Sequence, residues 1–318
     1  RRNLKKDRAF DYKVSGSRLS MGLVRLLDTA IGRSTGRGMG LAMQAVKPLL
    51  HSQLSCVHFA DGSRLYFRLD DVYWNSFIRQ PNIEYEPEIG NFLLRLKDVD
   101  YLFFDCGANI GYWSVLATSE MLGRKRAIAI EASQETSAIL QQNCDANDQR
   151  FEICRKALCE YDGQRLLFFS KGPHANRHIV EPQSSNSTHI EPVISTTVDA
   201  LARQLRLTDS DRIVVKLDVE GAEISALKGA HQVLKRDTLV IYEDHGSDRS
   251  HATTRFVFDE LGFPVFSIAA DGAIMEIDEL CALDRLKTDP KLGYNFVTCP
   301  PQSGFHRWIE EIAGCTRS

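Results

Sequence analysis

Long apolar runs are missing from this 318-residue chain: nowhere do 18 apolar residues follow one another, the length a membrane-spanning helix needs. The start has neither the apolar core nor the small-residue cleavage site of a secretory leader. It opens on Arg1 rather than Met, so any targeting signal is expected to lie upstream. The eight cysteines include no C-x-x-C pair and no Cys/His cluster at zinc-finger spacing, which argues against a structural zinc site. Several lie inside apolar runs, such as Cys106 and Cys154, where free cysteine behaves as a small hydrophobe. A reducing, cytoplasmic location is the expectation. Internal repeats are absent as well.

What remains is globular. A hydrophobic fraction of 43% and a charged fraction of 25% are average for packed domains, and the length suits one large domain with an extension. The net charge of −3 hides an asymmetry, because residues 1–50 hold 11 Lys or Arg against 3 Asp. Such a basic leader can touch nucleic acid or an anionic surface. However, no basic stripe interleaved with aromatics accompanies it, and no nucleic-acid partner is expected. Oligomeric state is open.

Helical spacing recurs over Met21–Ala30 and Met39–Leu50, and the apolar runs flanking Asp61-Gly62 read as a β-hairpin. Residues 1–83 are therefore expected to form a helical and hairpin extension to a main domain spanning 84–318. A helix is predicted over 84–96, with its acids in the first turn. From Val99 onward, short continuous apolar runs alternate with helical segments. The strand candidates are Tyr101–Phe104, Ala127–Ile130, Phe151–Ala157, Ile213–Leu217 and Leu239–Tyr242. Strands without polar alternation are buried on both faces, so the expected fold class is α/β, a doubly wound sheet with helices on both faces. A helix near 251–261 and three runs starting at Pro264, Ala273 and Tyr294 would complete it. Ser170–Pro192 reads as a long polar loop, and its histidines, His174, His178 and His189, are too irregularly spaced to predict a metal site.

The densest chemical signal is Phe103-Phe-Asp105-Cys-Gly107-Ala-Asn109-Ile-Gly111, a buried strand running into a glycine turn and a helix. Glycines at such a turn let a ligand approach the backbone. No Gly-Lys-Ser/Thr follows, and the G-x-x-x-G spacing is not the dinucleotide fingerprint. Twenty residues after Gly111, Glu131 ends the next strand, where an acid can accept hydrogen bonds from both hydroxyls of a ribose. Together these features specify a nucleoside. Two further strands end in Asp218-Val-Glu220-Gly221-Ala-Glu223 and in Glu243-Asp244-His245, delivering acids and an imidazole to the same rim.

These blocks, with Glu84-Tyr-Glu-Pro-Glu, Thr197-Val-Asp199-Ala-Leu and Lys216-Leu-Asp218-Val-Glu220-Gly221-Ala-Glu223, resemble the FkbM-type methyltransferases from about Glu84 to Tyr242. The resemblance implies a Rossmann-like methyltransferase sheet, S-adenosylmethionine as cofactor, and methyl transfer to an oxygen of a sugar, glycan or natural product. It places the methionine end at Asp105, Gly107, Asn109 and Gly111 and the ribose at Glu131, with Ala132, Asn143 and Ala157 lining the adenine side. A hydroxyl acceptor must lose a proton. Asp218, Glu243 and His245 are the candidate bases. Asp218 with Glu243 or Asp244 could hold Mg²⁺, although the simpler reading is that these acids bind substrate hydroxyls. Glu223 is expected to satisfy free amides at a helix start. The alternatives are a non-catalytic module that has kept the fold, or an enzyme acting on RNA or protein.

Overall fold

A computed structural model describes residues 10–32, 39–51, 53–80, 83–169, 178–180 and 190–313. Most of the expected 170–192 loop, with His174 and His189, lies outside the described residues, as do the first nine residues of the basic leader. In chain order the amino-terminal part contains β1 (Tyr12–Ser15), α1 (Arg18–Gly32), α2 (Met39–Leu50), β2 (Leu54–Phe59), β3 (Arg64–Arg68), α3 (Ser76–Arg79) and α4 (Pro87–Arg95). Then come β4 (Leu102–Cys106), α5 (Tyr112–Ala117), β5 (Arg126–Ile130), α6 (Gln134–Ala146), β6 (Glu152–Cys154) and β7 (Ala157–Leu158). They are followed by β8 (Arg165–Phe169), β9 (His178–Val180), β10 (Ile190–Thr196), α7 (Val198–Gln204), β11 (Ile213–Leu217) and α8 (Glu223–Lys228). The chain finishes with β12 (Thr238–His245), α9 (Ala252–Phe256), β13 (Val265–Ile268), β14 (Ile274–Glu276), α10 (Cys281–Leu286), β15 (Gly293–Thr298) and α11 (Gly304–Ala313).

The main sheet has eight strands in the order β14-β13-β15-β12-β11-β4-β5-β6. Strands β6, β5, β4, β11 and β12 are parallel, and β15 runs antiparallel between β12 and β13. Every residue of β4 and β11 is buried, as their unbroken apolar runs require. Phe103, Val214 and Ile241 point into one core layer with α4, α5 and α11, while Phe104, Val215 and Val240 point into a second layer with α7 and α8. Each fully buried side chain of this size contributes about 1.5–3 kcal/mol. This is a doubly wound Rossmann-like sheet with helices on both faces.

The chain winds outward from β4 to β5 and β6, then crosses back to place β11 on the other side of β4. Such a reversal opens a crevice at the carboxyl ends of the two central strands.

The hairpin is present, with Gly62 at φ +89° in its turn, and β1 pairs with it to make a three-stranded sheet. Val24, Met43, Val57, Phe59, Leu65 and Phe67 share the first core layer with Phe103. None of the described helices is long and apolar enough to cross a membrane.

Three sequence expectations change. The predicted strand 151–157 breaks into β6 and β7, because the chain turns at Lys156, whose amide donates to Cys154 O, and β7 leaves the main sheet to pair with β10. Segments 178–180 and 190–192 of the expected loop are strands, in a second sheet ordered β7-β10-β8-β9. The helix predicted from residue 84 starts at Pro87. Glu86 before it is left-handed, at φ +41°, and proline suits a first helical position.

Candidate functional site

The carboxyl ends of β4, β5 and β11 surround a cavity open to solvent, in the crevice where doubly wound sheets take their ligands. Of the sequence-predicted residues, Asp105, Gly107, Asn109, Glu131, Ala132, Ala157 and Asp218 line it. Asp105 ends β4 almost completely buried, and its Oδ2 accepts the Ser114 hydroxyl at 2.6 Å. Burial pushes its carboxyl above the usual range, against the pull of Lys216. Gly107 follows at φ +81°, and a Cβ there would lie 1.7 Å from the carbonyl oxygen of Asp218. Only glycine lets the β4 and β11 turns meet this closely. Asn109, at φ +54°, accepts the Trp74 indole N–H on its Oδ1 at 3.3 Å.

Glu131 closes the other side. Its Oε2 accepts the Asn109 amide at 2.9 Å and its Oε1 the Ser133 amide at 2.8 Å. Each carboxylate oxygen can accept two hydrogen bonds, so the group is fixed in place without its capacity being used up by these two. Beyond it, Ala132, Ala157, Leu158 and Phe168 form an apolar slot. Phe168 comes from β8 in the second sheet, a contributor that no local motif announces.

The structure does not bring Asn143, Gly111 or His245 to the cavity wall. Asn143 is fully buried, with Oδ1 accepting the Tyr66 amide and Nδ2 donating to Tyr66 O and Ile110 O. Those bonds tie α6 to the hairpin and leave nothing for an adenine. Gly111 starts α5, and a Cβ there would meet Leu140 Cδ1 at 2.6 Å, so its role is helix packing. His245 is exposed, with its Nδ1 turned onto Ser247 Oγ at 2.6 Å. Asp244, considered as a cation partner of Asp218, faces the opposite side of β12, because side chains alternate along a strand. There it meets buried Lys287 Nζ at 2.5 Å and the Thr254 hydroxyl at 2.6 Å.

In place of His245 and Asp244, the fold assembles Glu86, Asp218 and Glu243, with carboxylate oxygens within 4.8 Å of one another. Glu86 arrives because its left-handed backbone turns it away from α4, and the Trp113 indole N–H holds its Oε2 at 2.6 Å. Lys216 sits among them, buried, with Nζ 3.0 Å from Asp218 and 3.8 Å from Glu86. Burial alone would depress the Lys216 pKa. Asp218, Glu86 and Asp105 outweigh it and hold the ammonium above the ordinary lysine range.

Burial, reinforced by Asp218 and opposed by Lys216, raises the Glu86 carboxyl. Burial also lifts Glu243, next to Asp218 and Glu86, to about 8. Glu223 does what the sequence suggested, accepting the Val219 and Gly221 amides at 3.2 and 3.1 Å.

An aromatic wall faces these acids. Trp74, Tyr85, Tyr112 and Trp113 line the cavity, and Tyr85 lies 5.1 Å from Trp74 and 4.6 Å from Tyr112 between ring centroids. Glu86 and this wall escaped the sequence reading. Glu86 looked like one of several first-turn acids; its one distinguishing signal is the proline that follows, which restricts the residue before it to non-helical backbone.

Residues 105–265, just over half of the chain, match the family described as the Methyltransferase FkbM domain. Among solved structures, the methyltransferase FkbM from Methylobacillus flagellatus is 14% identical, with 70% of this chain and 46% of that chain covered and a TM-score of 0.39. This chain thus spans less than half the length of that protein. A precorrin-6y C5,15-methyltransferase from Geobacter metallireducens is 12% identical over 67% of this chain and 86% of its own, with a TM-score of 0.36. The human methyltransferase 10 domain containing protein is 10% identical over 83% and 98%, with a TM-score of 0.41. No curated protein matches the sequence. The family match covers the glycine turn, the Glu131 strand and the Lys216–Glu223 block, and the chain belongs to the FkbM methyltransferase family.

Proposed function

We propose that this chain is an S-adenosylmethionine-dependent O-methyltransferase acting on a hydroxyl of a glycan, sugar or similar small molecule. One observation carries the reading: a site able to take the nucleoside adjoins a half-buried group of three carboxyls around one buried ammonium. The residues fit the cofactor. Gly107 lets the β4 and β11 turns close into one cavity floor, Glu131 is held where a ribose would present its hydroxyls, and the Ala132–Phe168 slot offers apolar side chains to an adenine. Bound there, S-adenosylmethionine would supply a methyl carbon already activated by positive sulfur.

The protein then has two tasks, positioning the acceptor oxygen and taking its proton. Glu243 is the base in this reading: it is grouped with Asp218, which lines the cavity, and burial raises its carboxyl to about 8. Lys216, 3.0 Å from Asp218 and 3.8 Å from Glu86, offsets part of their charge, and the two carboxyls are placed to bind neighbouring hydroxyls. On methylation of the acceptor hydroxyl, its proton would pass to the Glu243 carboxylate.

Calorimetric titration of the whole chain with S-adenosylmethionine is expected to give saturable binding, with Kd on the order of 1–100 μM. Glu131→Ala should weaken it about tenfold or more, by removing the ribose acceptor and freeing the Asn109 turn. No binding by folded wild-type protein would sink the reading.

A second expectation concerns pH. A base must be deprotonated, so the single-turnover rate should rise with pH and level off above about 8. Glu243→Gln should remove that limb and most of the rate. Because the folded pKa is raised, the stability that Glu243 contributes is present at acid pH and lost as pH rises towards 8. The faster enzyme at pH 8 should therefore also be the less stable one. A rate independent of pH between 6 and 9 would exclude Glu243 as the base.

A further inference from the structure

The acceptor half of the cavity combines two features that together narrow the acceptor. Its charge is one-sided: Asp218 and Glu220 line it, Glu86 and Glu243 are grouped with Asp218, and a single ammonium, Lys216, stands beside them. The other lysine on the wall, Lys156, adjoins Ala157 on the adenine side. Its surface is aromatic as well. Tyr73 remains 49% exposed beside the wall, edge-on to Trp74 at 5.3 Å and to Tyr85 at 5.8 Å. It is also near enough to Glu86 and Asp218 for both to raise its hydroxyl pKa, after burial. An exposed aromatic ring next to carboxylates is the chemistry that receives a carbohydrate: the C–H face of the sugar packs on the ring, while the carboxylates accept its hydroxyls.

We infer that Tyr73 is a specificity-determining residue, and that the acceptor is an uncharged sugar ring stacked on it, with sulfated, phosphorylated or uronate-bearing glycans rejected by the acids. The inference rests on the methyltransferase reading and narrows its substrate class. Like charges at ~5 Å in a partly desolvated cleft repel strongly, and water screens them poorly there. An anionic acceptor would have to bring its charge beside at least two carboxylates for one ammonium.

The test applies the intact chain, loaded with S-adenosylhomocysteine, to an array of neutral oligosaccharides and their sulfated and uronate-bearing counterparts. Binding is expected on neutral glycans and at least tenfold weaker on the anionic partner of each pair, with the gap narrowing as salt is raised. Tyr73→Ala should abolish glycan capture and Tyr73→Phe retain it, both with unchanged affinity for S-adenosylhomocysteine. Equal or tighter capture of anionic glycans overturns the proposal, as does failure of every glycan to bind while S-adenosylhomocysteine still does. Loss of S-adenosylhomocysteine binding in the parent chain would instead fell the cofactor reading, and this proposal with it.

Discussion

Gly107→Ala is expected to weaken S-adenosylmethionine binding by roughly 100-fold or more, about 2.7 kcal/mol, as read by calorimetry on a chain whose circular dichroism shows it folded. Two costs combine at this position. The residue sits at φ +81°, where a side chain costs about 1–2 kcal/mol. Its Cβ would also lie 1.7 Å from Asp218 O and 2.8 Å from Asp218 C. Neither of those is a flexible side-chain tip, so the β4 and β11 turns must separate, and the cavity floor moves with them. Gly62→Ala is the control for the first cost alone, because Gly62 is at φ +89° with nothing within 4 Å of the new Cβ. It should lose a little stability and no affinity. An affinity at Gly107→Ala within a factor of two of the parent would show that the turn does not touch the cofactor.

Lys287→Met should be the most destabilising single change remote from the cavity. Lys287 is 0% exposed, and its Nζ meets Asp244 Oδ1 at 2.5 Å, Asp248 O at 2.7 Å and His251 Nδ1 at 3.0 Å. Removing the cation leaves the Asp244 carboxylate buried with only the Thr254 hydroxyl, which costs about 3–5 kcal/mol for a broken buried pair. In a chain of this size that corresponds to a fall in Tm of roughly 4–8 °C. The double variant Lys287→Met with Asp244→Asn should recover part of the loss, since no charge is then stranded. Lys228, which is exposed and reaches half-buried Glu160 only at 3.9 Å, is the contrast. Its replacement by Met should change stability by ~0–1 kcal/mol. If the two lysine variants melt alike, the buried network is not what holds the carboxyl end of β12.

Much of this site was legible because its parts are local. The turn from Asp105 to Asn109 announces itself by a continuous apolar run, an acid and glycines whose backbone no other residue adopts cheaply. Glu131 could be placed because a buried strand of known length ends where it begins. Asn143 misled for a corresponding reason: it lies on α6, and its amide is consumed by Tyr66 and Ile110, partners 77 and 33 residues away that helical periodicity cannot name. His245 was on the correct strand and even shares a face with Glu243, yet the strand has run past the cavity by that point.

What the sequence by itself determined is the parallel α/β core, its strand and helix succession, and the glycine turn with an acid at the end of the next strand, because apolar period, glycine backbone freedom and strand-end acids all act over a few residues. What only the tertiary structure decided is the chemistry opposite that turn. Glu86 reaches Lys216 through a left-handed residue before a proline, Tyr73 and Trp74 come from beyond the main sheet, and Phe168 comes from a second sheet. The physical reason is that charge pairing and aromatic packing act through space, between segments separated by scores of residues, and take their geometry from how the whole core closes.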